Sequence, residues 1–263
     1  MLTPIWLVFV SVPLYAVVIG SLRTTEQYMD GGPLSLPTSG YTLANYARVL
    51  SGPFPRYLLT TAVITLSVIC LILLLALPIS YAVVRGQNLS SRTVFRVFLL
   101  GLAIPAQAVI IPMFWVINSI GLYDTIWGVV LPTAAFSMPI SVLILSSGMR
   151  DITNDMYEAM VLDGATTRQI FFRLAVPLSR PAIATVSVFA GMNAWNGFLF
   201  PLVLTQSAET KGVTVGLYSF IFQYGADFPA LFAAVVLSMT PLLLLYLFAR
   251  RWLVAGMMGL GGK

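Results

Sequence analysis

Histidine is absent from the 263 residues, and cysteine occurs once, at position 70. A disulfide within the chain is therefore excluded, as are metal centres built on His or Cys clusters. Cys70 lies inside a long apolar run and reads as a small buried apolar residue. Charge is scarce as well: Asp, Glu, Lys and Arg make up 9% of the chain, against about 25% in soluble domains. Hydrophobic residues reach 59% and the mean hydropathy is +0.93, so an ordinary soluble domain is excluded. No GxxxxGK[ST] phosphate loop occurs; Gly261-Gly262-Lys263 lacks the Ser or Thr and the following helix, so ATP chemistry has no seat on this chain.

What is abundant is uninterrupted hydrocarbon. Six apolar segments, roughly 5–22, 57–84, 97–120, 126–149, 181–205 and 229–249, reach the length of about 20 residues that a helix needs to cross a bilayer. Helices are the expected form, because a span in lipid must satisfy its own backbone polar groups. The runs are too long and too uniformly apolar for the strands of a membrane barrel. The first lacks a basic flank and a small-residue cleavage site and reads as a span, not as a signal peptide. The expectation is an all-α polytopic membrane protein, one domain over residues 1–263 with six transmembrane helices.

Ten of the fourteen basic residues (Arg85, Arg92, Arg96, Arg150, Arg168, Arg173, Arg180, Arg250, Arg251, Lys263) fall on one side of this arrangement. Arg23, Arg48, Arg56 and Lys211 fall on the other. The ten-residue side is then cytoplasmic, and both termini with it. The net charge of +5 and pI near 9.5 thus express topology; the cations are split among loops and make no nucleic-acid footprint. No acidic or basic residue lies deep within a span, whereas proton- or sodium-driven carriers place ionisable groups near mid-membrane. With no intramembrane cluster of acids either, a membrane-embedded enzyme lacks its usual machinery, and no catalytic residue is assigned. The polar side chains inside the runs are neutral, Gln107, Asn118, Ser137, Asn193 and Asn196 among them. Pro105, Pro112, Pro132, Pro139 and Pro201 suit bent helices that open and close, but proline is also common in membrane helices generally.

Of the external stretches, residues 23–56 include turn-rich GGPLSLPTSG, after which Thr42 can cap a short helix through Leu50, ended by Gly52 and Pro53. This stretch is a connector or a surface for a delivery protein. The segment 206–228, with Glu209, Lys211, Tyr218 and Tyr224, is long for a mere turn.

The most informative polar stretch, residues 150–180, separates two apolar runs. Asp155-x-x-Glu158 has capping-box spacing and Gly164 is a suitable left-handed stop. Met156, Tyr157, Met160 and Val161 form one apolar face. Thr166-x-x-Gln169 is a second capping box, followed by Ile170, Phe171 and Leu174, with Pro177 as the expected stop. Two short amphipathic helices about a turn at Asp163-Gly164-Ala165 follow. By periodicity alone they are membrane-surface connectors or a docking element.

Glu158, Ala159, Asp163, Gly164, Ala165 and Pro177, in order and spacing, resemble the conserved cytoplasmic loop of ABC-importer permeases, with Met160 in place of that loop's second alanine. Asn45-Tyr46, the run Ala194-Trp195-Asn196-Gly197-Phe198, Phe200-Pro201-Leu202 and the ending RRWLVAGMMGLGGK resemble the carbohydrate-uptake branch, of the maltose-transporter second-permease type. The resemblance implies a bacterial or archaeal cytoplasmic-membrane permease that pairs with a second permease, two ATPase subunits and an extracytoplasmic solute-binding protein. ATP and magnesium would be bound by the ATPase partner. Coupling residues would be Tyr157, Glu158, Ala159, Met160, Val161, Asp163, Gly164 and Ala165. Glu209, Lys211, Tyr218 and Tyr224 would meet the binding protein. Asn193, Trp195 and Asn196 suit a sugar's hydroxyl rim and apolar face, though the same residues serve helix packing equally well. A glycerol phosphodiester or polyamine is the alternative solute, disfavoured by spans without cationic or acidic lining.

Overall fold

The structure is a computed structural model that describes residues 3–37, 40–86, 89–223 and 227–260. Among these residues every regular element is a helix. In chain order they are α1 (Thr3–Ser21), α2 (Thr25–Gly31), α3 (Ala44–Ser51), α4 (Phe54–Arg85), α5 (Leu89–Gly101), a short 3-10 turn (Ala106–Val109) and α6 (Ile110–Ser119). Then come α7 (Ile126–Arg150), α8 (Asn154–Leu162), α9 (Thr167–Ile170), a π-helical segment (Phe171–Ala175), α10 (Val176–Leu178), α11 (Arg180–Trp195), α12 (Leu199–Leu204), α13 (Val213–Gln223) and α14 (Phe228–Leu260).

The chain divides into two compact units: Met1–Thr61 with Ser207–Tyr246, and Ala62–Gln206 with Leu247–Lys263. In the first, α1 ends at a fold-back held by Asn45, whose buried amide donates to the carbonyls of Ser21 (2.9 Å) and Arg23 (2.7 Å). Helix ends leave carbonyls without partners, and one Asn from α3 satisfies two. The Tyr46 hydroxyl adds a bond to Ser21 Oγ at 2.7 Å. Residues 25–31, just ahead of the turn-rich stretch, form a helix that the sequence reading did not expect. Thr24 and Gln27 close a reciprocal capping box there, a signal that the neighbouring Gly and Pro masked. Arg23, 1% exposed, donates to the Gly32 carbonyl at 2.6 Å and to that of Gln27. The unit's core joins Val49, Phe54 and Tyr57 to Val213, Ala230, Ala233 and Ala234.

The second unit holds the larger core. Ile64, Val68, Ile72 and Ala76 recur every fourth residue on α4, and Val186, Ala190 and Ala194 do so on α11. Each set makes one stripe, since residues four apart share a helix face. α7 lies against both with Val130, Ala134, Met138, Val142 and Leu145 buried, together with Phe200 and Leu204 of α12. Cys70 points away from this stripe and is exposed. Its expected burial fails because Val68 and Ile72 hold the inward face.

α4 and α7 are each long and apolar enough to cross a membrane. The expected third run, 97–120, is not one helix: the segments either side of Pro105 meet at 91°. Likewise the fifth run, 181–205, breaks after Trp195 and resumes at Leu199. Helical segments before and after Ser179 meet at 72°. α1 and α14 are apolar over Trp6–Ser21 and Phe228–Leu244.

Close approach of α7 and α11 depends on Gly148, where an added Cβ would stand 2.6 Å from the Ala182 Cβ. Gly148→Leu should overpack this crossing at about 1–3 kcal/mol, read as a lower thermal midpoint in detergent. Leu74→Ala, at a position 71% exposed, should leave that midpoint unchanged.

Candidate functional site

Residues 150–180 build a small core of their own. Ile152, Tyr157, Ile170 and Ala175 are buried in it, with Tyr81, Met160, Ala165 and Leu174 packed around them. α8 starts at Thr153, not through an Asp155–Glu158 box: Thr153 is the N-cap and makes no side-chain cap bond. Asp155 sits instead in the first turn, where a negative charge favours the helix dipole. The capping box fails because the chain enters the helix two residues earlier than the spacing suggested.

The stop at Gly164 forms as expected. Gly164 has φ +75°. Its N–H donates to the Val161 carbonyl (3.0 Å) and that of Ala165 to the Met160 carbonyl (2.9 Å). This bond pair is a Schellman motif, and Ala165 also packs near Met160 in the loop's core. Thr166 and Gln169 then close their capping box around the next helix start. Pro177 does not stop that helix, which continues to Leu178. Proline removes a donor and crowds the carbonyl four residues back. The preceding turn widens into a π segment in which Val176 N–H bonds to the Phe171 carbonyl, leaving room for the ring.

The apolar face expected on α8 is shared between two tasks. Tyr157 is 1% exposed and Met160 is half-buried, both turned inward. Met156 (45%), Val161 (58%) and above all Leu162 (87%) are exposed. Glu158, Ala159, Asp163 and Gly164 are exposed beside them, and Ala165 is half-buried. Leu162 carried no special sequence signal, because its exposure follows from which residues of a nine-residue helix the loop core claims. Burial raises the Tyr157 phenol above its ordinary value, with the Arg85 guanidinium opposing that shift.

The other expected residues belong to other elements of the chain. Asn193 and Asn196 are exposed and Trp195 half-buried at the end of α11, beside the break before α12. The Asn196 amide donates to the Met192 carbonyl at 3.0 Å, so part of its polarity closes the helix end. Glu209 stands 3.5 Å from Arg56, and its carbonyl accepts from Thr60 at 3.3 Å. Both charged groups are more than half exposed, so the pair itself contributes little. Lys211 is half-buried and Tyr218 is 48% exposed; Tyr224 lies outside the described residues. Within one unit the structure brings the α8 residues together and the α11 residues together as a separate group; Glu209, Lys211 and Tyr218 belong to the other unit.

Apolar helices broken at Pro105 and after Trp195, joined to a polar loop whose short helix carries exposed apolar side chains, are the features of a membrane-embedded protein. The chain belongs to the family of binding-protein-dependent transport system inner membrane components, which residues 75–259 match. It is 32% identical to an ABC transporter permease protein of a Caldicellulosiruptor strain, over 97% of this chain and 92% of the relative. It is also 32% identical to the diacetylchitobiose uptake system permease NgcG of Streptomyces coelicolor (98% and 85%). A further relative at 28% is the arabinooligosaccharides transport system permease AraQ of Halalkalibacterium halodurans (96% and 91%). The fold is that of a chain in a bacterial ABC transporter involved in the import of the acidic polysaccharide alginate, with a TM-score of 0.83 at 20% identity, covering 95% of this chain and 93% of that one.

Gly164→Val should disrupt the Schellman turn, since a β-branched residue resists a positive φ, while Gly164→Asn should be tolerated. Amide exchange over residues 160–166 should rise markedly in the valine variant and little in the asparagine one.

Proposed function

We propose that the chain is one of two permease subunits in an ATP-driven importer of sugars or oligosaccharides, seated in a bacterial or archaeal cytoplasmic membrane. The observation that carries this reading is α8: a short helix closed by a Schellman turn at Gly164, with Leu162 87% exposed beside Glu158 and Asp163. A leucine so exposed on a charged loop suits an apolar groove of a soluble partner, and the partner in this reading is an ATPase subunit that binds ATP and magnesium. Met156, Glu158, Ala159, Val161, Leu162 and Asp163 face that partner, and Tyr157 and Met160 hold the helix from beneath. Hydrolysis is assigned to the ATPase; this chain catalyses nothing.

The topology that goes with it is a single permease domain crossing six times, by α1, α4, α5 with α6, α7, α11 with α12, and α14. Lys and Arg bias places loop 150–180 and both termini in the cytoplasm. Broken spans fit this scheme, since irregular backbone at membrane depth is tolerated where it faces protein or a water-filled path. The paired permease and two ATPase subunits complete the membrane assembly. An extracytoplasmic binding protein would meet Glu209, Lys211, Tyr218 and Tyr224.

A sugar is favoured because the relatives include uptake permeases for diacetylchitobiose and arabinooligosaccharides. The only polar groups in the apolar runs are also neutral. Asn193, Trp195 and Asn196 are the assigned solute contacts. A glycerol phosphodiester or polyamine would need charged lining that these runs lack.

Leu162→Glu should leave the chain membrane-inserted while lowering the co-purified ATPase at least about tenfold, as removal of a central interface residue does. Undiminished co-purification would remove the basis of this reading. Trp195→Ala together with Asn196→Ala should cut oligosaccharide uptake with assembly intact; normal uptake at normal expression would move the pathway elsewhere.

A further inference from the structure

The last turn of α4 grips both helices of the loop. The Arg85 guanidinium carbon lies 4.2 Å from the centre of the Tyr157 ring, and its Nη1 donates to Asn154 Oδ1 at 3.2 Å. Asn154 and Tyr157 are one turn apart on α8, so a single side chain holds the start of that helix by two contacts of different kinds. One turn before Arg85, the Tyr81 ring meets Phe171 of the π segment edge-on at 5.3 Å. On a different face, the same helix enters the main core through Ala76, Ile72, Val68 and Ile64, so α4 touches the loop and the core with separate sides.

The Tyr157 hydroxyl is buried without a hydrogen-bond partner. The residue therefore acts through its ring face, which the guanidinium covers, and not through its oxygen. Only a planar fork can stack on a ring and donate sideways to an amide at once; a lysine ammonium can do one or the other. Arg85 is also the basic residue in the last turn of α4, where the helix dipole favours a cation. No carboxylate lies within 4 Å of it among the described residues, so its orientation is set by α8.

We infer that Arg85 is a positioning residue that latches α8 to α4, so that displacement of α8 by a bound partner is passed into the α4–α7–α11 core. This rests on the docking role proposed for α8, and it adds the element that receives the motion. Asn154 and Tyr157 are the α8 half of the latch, and Tyr81 against Phe171 keeps the second loop helix in register with it.

The test uses the assembly isolated through a tag on this chain, in lipid nanodiscs. Deuterium exchange is followed with and without Mg-ATP plus vanadate. In the wild type, nucleotide should change exchange in Asn154–Leu162 and in residues 62–80 together. In Arg85→Gln the α8 response should persist while the response of 62–80 falls at least about fivefold. A purely structural role would alter both segments alike. Arg85→Lys should restore part of the response, Asn154→Ala should weaken it roughly twofold, and Tyr157→Phe should behave as the wild type. Full transmission in Arg85→Gln, or a loss in Tyr157→Phe equal to that in Arg85→Gln, overturns the latch. If the wild-type assembly contains no nucleotide-responsive ATPase, the importer reading fails, and the latch is decided on the chain alone. There Arg85→Gln must speed exchange of Asn154–Leu162 at least about fivefold with Tyr157→Phe unchanged, and equal rates refute it.

Discussion

A backbone N–H or C=O taken from water must find its partner within the protein, and that requirement shapes the helix ends among the described residues. Where α1 ends, Asn45 supplies donors to the carbonyls of Ser21 and Arg23. Where α8 ends, Gly164 and Ala165 return their N–H groups to Val161 and Met160. Where Pro177 would crowd its helix, a π segment widens the turn. At the end of α12 the Asp124 N–H donates to the Leu204 carbonyl, and Asp124 Oδ1 accepts from Gln206 N–H at 2.8 Å. The breaks are thus closed structures with defined partners.

The loop 150–180 is built on the same economy of partners but serves a different surface. Its residues bury a small core under Tyr157 and Ile170, which fixes α8 in one orientation. That fixing leaves Leu162, Val161 and Met156 in the open, available to another molecule. A rigid helix with exposed apolar groups suits a partner better than a mobile one, since little order remains to be imposed on binding. Membership of a binding-protein-dependent transport family gives this geometry its functional setting.

Two features of the loop pull against each other. Leaving the Tyr157 hydroxyl buried without a partner is unfavourable, because an unpaired buried polar group costs about 1–3 kcal/mol. The guanidinium stack offsets it by about 0.5–2 kcal/mol in a partly desolvated site.

Helical class, membrane character, the Schellman stop at Gly164 and the Thr166–Gln169 box were legible in the sequence, because each depends on residues within a few positions of one another. The same local logic misplaced the start of α8, where Thr153 competed with Asp155, and missed α2, whose Thr24–Gln27 box stood among glycines and prolines. It also expected continuous helices where the chain breaks after Gly101 and after Trp195. The inward turn of Tyr157, the outward turn of Leu162 and the exposure of Cys70 were decided only by the tertiary structure. Hydrophobicity says that a face will be covered but not by what. Arg85 meets Tyr157 across 72 positions, and no spacing rule within one helix reaches that far; only the packing of α4 against the loop brings them together.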